Sequence, residues 1–282
     1  MNLSEIMDTL PSLKATVDAY GLMAKKSLGQ NFLLDRNITD KIIKMSLDAQ
    51  GKKDFSDDYV FEVGPGPGGL TRSVLSQNPK KLTVIEMDER CIKIMEDIKS
   101  KVGDRLEIIS GDAMKQNFAL MDAKPRHIVS NLPYNISVHL LFGWLKSIEA
   151  FNSMTLMFQK EVADRILAKT STKDYGRISI LSQLLCKVDK LFDINPNCFV
   201  PAPKIWSTVL VFRPLHSGLT EKQISNIEKI TAAAFGQRRK MIRHSLKSIA
   251  NIDEILSCLN IGNNLRAEEL NPLQFLQIAD KI

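Results

Sequence analysis

The sequence predicts an α/β protein in two parts: a doubly wound sheet with helices on both faces, followed by a small all-helical domain. Up to about residue 214, short apolar runs alternate with amphipathic stretches, which is the pattern of parallel strands joined by helices. Beyond that point only helical periodicity continues. A chain of 282 residues is long enough for both parts. We therefore expect a sheet domain over 1–214, including an N-terminal extension over 1–24, and a helical domain over 215–282.

The sheet domain is predicted to be built around one glycine-rich turn. A loop over 25–35 leads into a helix that begins near Asn37, and the apolar run 59–63 is followed at once by the glycines and prolines of 64–69. This order is typical of a strand, a tight turn and a helix.

The remaining elements are expected to alternate along the chain. Strands are predicted at 82–87, 106–110, 128–130 and 154–158, and helices at 88–102, 137–147 and 160–167. The runs 191–194 and 208–212 are close enough to form an antiparallel hairpin at the end of the sheet, around the proline-rich loop 196–203. In the helical domain, breaks are expected at Gly236, Gly262 and Pro272.

Composition excludes several classes of protein. The contents of hydrophobic (44%) and charged (25%) residues are ordinary globular values. The 4 cysteines and 4 histidines are scattered singly, which argues against a disulfide framework or a zinc site, so we expect reduced thiols and no metal. Neither a basic leader nor an apolar stretch of about 18 residues occurs, so we expect a cytoplasmic protein without a membrane partner. The formal charge of +6 only mildly favours a polyanionic partner.

A nucleotide-type cofactor site is predicted at the glycine turn. Gly64, Gly66 and Gly69 fit GxGxxG, in which glycines permit a tight turn and let a ligand approach the backbone. Glu86 ends the next predicted strand, about 20 residues after Gly66, where a carboxylate can accept both hydroxyl protons of a ribose. These features suit a nicotinamide dehydrogenase equally well.

Two further acids favour S-adenosylmethionine over a dinucleotide. Glu62, just before the turn, would repel a pyrophosphate but can help to hold the ammonium end of a methionine. Asp112 follows the third strand, where it can accept from an adenine amino group. Each acid alone could be a helix cap. Because they gather around one turn, the sequence predicts a Rossmann-like fold of the class I S-adenosylmethionine-dependent methyltransferases.

A catalytic loop is predicted at Asn131, Leu132, Pro133 and Tyr134, after the fourth strand. The amino nitrogen of adenine is a poor nucleophile because its lone pair is delocalised into the ring. The Asn131 side-chain oxygen and the Leu132 carbonyl can bind its two N–H groups and aim the lone pair at a sulfonium methyl. Pro133 fixes the backbone, and Tyr134 offers a stacking face. A plain turn is the alternative, which the position beside the cofactor site disfavours.

A basic run without an acid lies between residues 237 and 247. Its members are Arg238, Arg239, Lys240, Arg243 and Lys247. On a helix, Arg239, Arg243 and Lys247 would line one face and could follow a phosphate backbone. A merely solvated face is the alternative, but such faces usually mix signs. Lys25, Lys26 and Arg177 are weaker candidates for the same role.

With these motifs the chain resembles the small-subunit ribosomal RNA adenine dimethyltransferases, which make two adjacent N6,N6-dimethyladenines near the 3′ end of 16S rRNA. The resemblance spans nearly the whole chain. The segments that carry it are 29–33 (GQNFL), 62–66 (EVGPG), 84–86 (VIE), 111–113 (GDA), 131–134 (NLPY), 158–161 (FQKE), 175–177 (YGR), 201–204 (PAPK) and 234–240 (AFGQRRK). The extension before residue 25 is longer than the resemblance leads us to expect.

The resemblance implies residue roles and a partner. The implied cofactor contacts are Asn31 and Leu33 over the methionine part, Gly64 and Gly66 beside it, Glu86 at the ribose, Asp112 at the adenine, and Asn131. The implied contacts with the target base are Asn131, Tyr134 and, as a second stacking face, Phe199. The implied partner is 16S rRNA within a small-subunit precursor, bound by a monomer that converts S-adenosylmethionine to S-adenosylhomocysteine.

Three alternatives stay open at this point. The nearest is the 23S rRNA adenine N6-methyltransferase of the macrolide-resistance type, which shares the catalytic loop; the segments 201–204 and 234–240 favour the small-subunit enzyme. A dehydrogenase on the same glycine turn is the second. A binding protein that keeps the fold without the activity is the third.

Overall fold

A computed structural model describes residues 2–24, 29–121 and 124–282. It divides the chain into two compact units. The first comprises residues 1–143, 149–160 and 189–213, and the second comprises 144–148, 161–188 and 214–282. The second unit is therefore larger than the helical domain predicted over 215–282, since it also takes in two segments from the middle of the chain. Lys25 and Lys26 lie outside the described residues.

The first unit contains a seven-stranded sheet and a small two-stranded one. The strands, in chain order, are β1 Phe32–Leu33, β2 Tyr59–Val63, β3 Lys81–Glu86, β4 Leu106–Ser110, β5 Arg126–Asn131, β6 Ser153–Gln159, β7 Cys186–Ile194, β8 Phe199–Val200 and β9 Ser207–Pro214. The large sheet has the order β4-β3-β2-β5-β6-β9-β7, and β1 pairs with β8. Strands β2 to β6 pair in parallel and β9 joins β6 antiparallel, so the predicted doubly wound α/β fold is confirmed.

The predicted hairpin at the end of the sheet is also confirmed. Strands β7 and β9 are neighbours. The Thr208 hydroxyl donates to Asp193 at 2.6 Å, and Arg213 donates to Asp189. Because these contacts run in opposite directions along the two strands, β7 and β9 are antiparallel.

The helices differ between the two units. Those of the first unit are α1 Leu3–Asp8, α2 Leu13–Ala19, α3 Arg36–Gln50, α4 Gly69–Leu75, α5 Glu89–Val102 and most of α6 Ser137–Lys146. Those of the second are α7 Lys160–Leu167, apart from its first residue, α8 Arg177–Leu185, α9 Glu221–Gly236, α10 Ile242–Ser245, α11 Ile252–Cys258 and α12 Pro272–Ala279. Helix α8 packs against α9 and α12. No helix was predicted from the sequence at this position. This packing explains why the segment 161–188 belongs to the second unit.

The site is positioned by a change of direction in the sheet. Strands β3 and β4 lie on one side of β2, and β5 and β6 lie on the other. The ladder between β2 and β5 ends at Phe61 and Ile128, before either strand ends. Beyond it, the Ser130 hydroxyl donates to the Val63 carbonyl at 2.7 Å and accepts from the Val63 N–H at 3.3 Å. Open α/β sheets bind ligands at such switch points, outside the carboxyl ends of the strands.

The basic run after α9 does not form the continuous helix that the sequence predicted. Helix α9 ends at Gly236, residues 237–240 form turns, and α10 has only 4 residues. A bridge between Met241 and Arg266 interrupts the helical path. Within the run, Ile242 and Leu246 are buried, whereas Met241 and the basic residues Arg239, Lys240, Arg243 and Lys247 are exposed. Within the described residues, no helix is both long and apolar enough to cross a bilayer.

Candidate active site

A cavity of about 330 Å³ opens at the carboxyl ends of β2, β3 and β5. This volume lies in the range of pockets for small ligands. Ten of the predicted site residues line it: Asn31, Leu33, Gly64, Gly66, Glu86, Asp112, Asn131, Leu132, Pro133 and Tyr134. The structure thus brings the predicted cofactor turn and the predicted catalytic loop to one place.

The glycine turn presents backbone to the cavity. Gly66 has φ +56°, which side-chain-bearing residues rarely adopt, and a Cβ there would lie 3.0 Å from the Phe32 ring. A Cβ at Gly69, the first residue of α4, would lie 2.7 Å from the Leu33 carbonyl oxygen. Glycine is therefore required at Gly66 by its left-handed conformation and at Gly69 by close packing.

Glu86 is held in one orientation by backbone donors. The N–H groups of Met87 and Asp88 donate to Oε1 at 2.7 and 2.9 Å, and the Gly66 N–H approaches Oε2 at 3.4 Å. Burial raises the pKa of the Glu86 carboxyl, and the three backbone donors oppose that rise. Since Oε1 is occupied and Oε2 has one long contact, Oε2 is the oxygen that can accept from a ligand.

Glu62 is the most strongly perturbed acid of the cavity wall. Its side chain is 1% exposed, and Oε2 accepts from the Thr71 hydroxyl at 2.7 Å. Burial raises its pKa to about 8; the Thr71 bond opposes this rise and the nearby Glu86 adds to it. A cation that enters beside Glu62 would favour the ionised form of the carboxyl.

Asp112 caps a short helix with one oxygen and keeps the other available. Its Oδ1 accepts from the Met114 N–H at 2.9 Å and caps a short 3-10 helix. Its Oδ2 has no protein donor among the residues described. The capping bond therefore fixes the side chain while one oxygen stays available at the cavity wall.

Asn131 is oriented by the segment across the cavity. Its Nδ2 donates to the Asn31 carbonyl at 3.2 Å. With the nitrogen held in this way, Oδ1 is left as the acceptor of the amide. Asn31 therefore fixes the direction of the predicted catalytic side chain in addition to lining the cavity.

The backbone of the predicted catalytic loop leaves one carbonyl available. The Pro133 carbonyl accepts from the N–H groups of Ile136 and Ser137, both at 3.1 Å. The Tyr134 carbonyl accepts from the Ser137 hydroxyl at 3.1 Å. The Leu132 carbonyl, in contrast, has no donor within the described part of the chain. An acceptor pair of Asn131 Oδ1 and the Leu132 carbonyl is thus free to take two N–H groups.

Tyr134 is fixed at its far end. Its hydroxyl is hydrogen-bonded to that of Ser207, the first residue of β9, and Ser207 is fully buried. Burial raises the pKa of the Tyr134 phenol. A ring held at both its backbone and its hydroxyl is a rigid platform for stacking.

The other predicted site residues are not among those that line this cavity. Phe199 is 2% exposed, lies opposite Leu33 in the β1–β8 pair, and belongs to the apolar core. It is absent from the cavity wall, so its predicted stacking role would require it to move. The five basic residues of 237–247 belong to the second unit. Arg238 there donates to Glu268 at 2.6 Å, whereas Arg239, Lys240, Arg243 and Lys247 are exposed.

Several residues of the site could not be found from the sequence. Ser207 is hydrogen-bonded to Tyr134 although the two residues are 73 positions apart in the sequence. Thr71 belongs to no motif that would mark it as the hydrogen-bond partner of Glu62. Met87 and Met114 follow the two predicted cofactor acids closely, line the cavity and are half-exposed. Their proximity to those acids was the one available signal.

The donor set fits S-adenosylmethionine. Gly66 presents backbone to the cavity, and the buried Glu86 can accept from hydroxyl groups. Glu62 can face a cation, and Asp112 can accept from an amino group. No group of three or more His, Cys, Asp or Glu side chains among the described residues could hold a metal ion.

Comparison with known proteins gives a consistent result. The family model for ribosomal RNA adenine dimethylase matches residues 21–282. The chain is 42% identical to the ribosomal RNA small subunit methyltransferase A of Rhodospirillum rubrum, over 96% of this chain and 92% of that protein. A dimethyladenosine transferase structure from Plasmodium falciparum has a TM-score of 0.73 and 29% identity, over 86% of this chain and 94% of that one. A 23S rRNA methyltransferase structure has a TM-score of 0.64 at 22% identity, over 89% and 99%, which is a likeness of fold.

Proposed function

The chain belongs to the ribosomal RNA adenine dimethylase family, and we propose that it transfers methyl groups to N6 of two adjacent adenines near the 3′ end of 16S rRNA. It is an S-adenosylmethionine-dependent rRNA methyltransferase. The observation that carries the proposal is the free acceptor pair of Asn131 Oδ1 and the Leu132 carbonyl, beside a cavity that fits the cofactor.

The cofactor is held by residues of the first unit. Glu86 Oε2 would accept from the ribose hydroxyls, Asp112 Oδ2 would accept from the adenine amino group, and Glu62 would face the ammonium group. Gly64 and Gly66 let the methionine part lie against backbone, and Asn31 and Leu33 close over it. When bound, the cofactor supplies an electrophilic methyl group on a sulfonium.

The catalytic loop prepares the nucleophile. Asn131 and the Leu132 carbonyl each accept one N–H of the adenine amino group, which favours a pyramidal nitrogen with its lone pair directed away from both oxygens. The fixed ring of Tyr134 stacks on the purine and keeps the plane of the base parallel to its own. No base is needed before attack, because the proton becomes acidic only after the nitrogen gains positive charge. The chain's contribution is mainly alignment of the two reacting atoms.

The RNA itself is proposed to contact the second unit. Arg239, Lys240, Arg243 and Lys247 are exposed cations on a short segment. Arg238 has an ion pair with Glu268, which makes it the weakest of the five predicted phosphate contacts. The target adenine must be unstacked to reach Asn131, so a loop or a single strand is a better substrate than a duplex. We further propose that the substrate is a small-subunit precursor, met in the cytoplasm by a monomer.

The experiment is tritiated methyl transfer to undermethylated 30S subunits and, in parallel, to unmethylated 23S rRNA, followed by primer extension on both ribosomal RNAs. We expect stops at two adjacent adenines of 16S rRNA in the presence of S-adenosylmethionine. Subunits already methylated at this site serve as the matched control and should accept no label. Label confined to 23S rRNA would replace the proposal by the macrolide-resistance type of activity, which the names of the relatives do not favour.

A further inference from the structure

The N-terminal extension is folded onto the first unit, although the family match begins only at residue 21. Helices α1 and α2 account for most of it. Met7, Leu13 and Leu22 are nearly fully buried, and Met7 and Leu22 belong to the apolar core that includes β2 and α5. Outside this core, Asp8 forms an ion pair with Arg36 at 2.6 Å. The extension is therefore an integral layer of the sheet domain.

The main partner of the extension is α4, the helix that starts at the glycine turn. A Cβ built at Gly69 would lie 3.2 Å from Leu13 Cδ1. Leu13 therefore packs directly behind the first residue of α4. The Leu33 carbonyl oxygen also lies close to Gly69, because a Cβ there would be 2.7 Å from it. The N-terminal end of α4 therefore has little freedom to shift.

A buried guanidinium joins the same two elements. Arg72 of α4 is 8% exposed, and it donates to the Pro11 carbonyl at 2.6 Å and to the Thr16 hydroxyl at 3.1 Å. Both acceptors lie in the extension. Burial lowers the pKa of Arg72, so these acceptors offset part of the cost of a buried cation. Within the described chain, side-chain hydrogen bonds of Arg72 go to the extension alone.

The opposite side of α4 forms part of the cavity. Gly69 and Leu70 line it, and Thr71 donates to the Glu62 carboxylate at 2.7 Å. Helix α4 is only 7 residues long, and each residue is buried. A displacement of α4 on the side of the extension must therefore appear on the side of the cofactor site, because a short packed helix moves as a unit.

We propose that residues 2–22 are a positioning element, which holds α4 and thereby the glycine turn in the geometry that binds S-adenosylmethionine. The inference rests on the proposed function for the identity of the ligand, and on the contacts of Leu13, Thr16 and Arg72 for the coupling. Neither the extension nor Arg72 is placed in contact with substrate or cofactor.

The test compares Thr16→Val, which removes the acceptor at nearly constant volume, with Thr16→Ser, which keeps the hydroxyl. Leu13→Ala removes the packing behind Gly69, and Lys14→Ala is a control at an exposed position of the same helix. Calorimetry with S-adenosylhomocysteine gives the Kd of each full-length variant, well below its melting temperature. We expect the Kd of Thr16→Val and Leu13→Ala to rise about threefold to tenfold, the usual effect of one lost hydrogen bond or a small cavity at a coupled site. Thr16→Ser and Lys14→Ala should stay within about twofold of the wild type.

A second readout needs no ligand. Hydrogen exchange of the ligand-free proteins should show faster exchange over residues 64–75 in Thr16→Val and Leu13→Ala, with β5 and β6 unchanged. A lower melting temperature with unaltered Kd and unaltered exchange over 64–75 would reduce the extension to general stabilisation and overturn the proposal. Failure of the wild type to bind S-adenosylhomocysteine would reject the proposed cofactor instead, and the exchange result would still decide whether the extension holds α4.

Discussion

Substitution of Glu62 by glutamine should change how the stability of the first unit depends on pH. The folded carboxyl has a pKa of about 8, against an ordinary value of 4.5, chiefly because it is buried. Between these two values the folded protein keeps a proton that the unfolded chain has lost. The stabilisation is therefore complete below about pH 4.5 and is lost progressively as the pH rises towards 8.

The size of the effect follows from proton linkage. One proton bound only in the folded state changes the free energy of unfolding by about 1.4 kcal/mol per pH unit. Between pH 5.5 and 7.5, Glu62 should therefore lower the stability of the wild type by roughly 2 to 3 kcal/mol. Glutamine is neutral at both pH values and can still accept from Thr71, so the variant lacks this contribution. The Glu86 carboxyl, whose pKa is also raised, is present in both proteins and largely cancels in the comparison.

The assay is urea unfolding of both proteins without cofactor at pH 5.5, 6.5 and 7.5. Hydrogen exchange followed by mass spectrometry of peptides from β2 and β3 assigns the transition to the first unit, since two compact units need not unfold together. The difference in free energy between Glu62→Gln and wild type should move in favour of the variant as the pH rises. Parallel stability curves over this range would show that Glu62 is ionised in the folded protein, and the reasoning from its burial would be wrong.

Four further substitutions test the site. Asn131→Ala should lower kcat/KM for methyl transfer by about 100-fold, the scale of one lost transition-state hydrogen bond. Glu86→Gln should raise the Kd for S-adenosylhomocysteine roughly 10- to 100-fold in calorimetry, because hydrogen bonds to a charged acceptor are the stronger ones. Ser207→Ala should lower kcat/KM about fivefold through loss of the bond that fixes Tyr134, and Tyr134→Phe should have a similar effect.

Each of these expectations has a specific contradiction. Unchanged turnover in Asn131→Ala would remove the acceptor pair from the mechanism. If Glu86→Gln bound S-adenosylhomocysteine as tightly as the wild type and the exposed control Lys14→Ala, Glu86 would not be the residue that binds the ribose. The double variant Ser207→Ala/Tyr134→Phe should be no slower than either single variant, since one hydrogen bond is removed in all three; additive losses would show that the two residues act separately.

Much of the fold was accessible from local sequence patterns. The inner strands β2 and β3 are buried along most of their length because helices cover both faces, so they were recognisable as apolar runs. The turn at 64–69 required glycine at Gly64 and Gly66 because both have a positive φ. The acids Glu62, Glu86 and Asp112 were placed correctly at the cavity wall because parallel strands end on one edge of a sheet.

The interpretation of residues 237–247 failed where it depended on regular helical spacing. Four-residue spacing of Arg239, Arg243 and Lys247 is compatible with a helix, but the bridge between Met241 and Arg266 breaks the helix there. Helix α8 escaped prediction for a related reason, since it is buried almost all round and has no polar face to give it a period. In both places contacts distant in the sequence decided the conformation.

The sequence by itself determined most of the order of strands and helices in the large sheet, the glycine turn, and the positions of the acids and of the loop 131–134, because these depend on periodicity and on the chemistry of adjacent residues. Only the tertiary structure decided that Asn31 orients Asn131, that Ser207 fixes Tyr134, that Phe199 is buried in the core, and that the extension supports α4. Each of these contacts joins segments from 61 to 100 residues apart or depends on which face is covered. Such pairings are set by the packing of the whole unit, and no local pattern of residues encodes them.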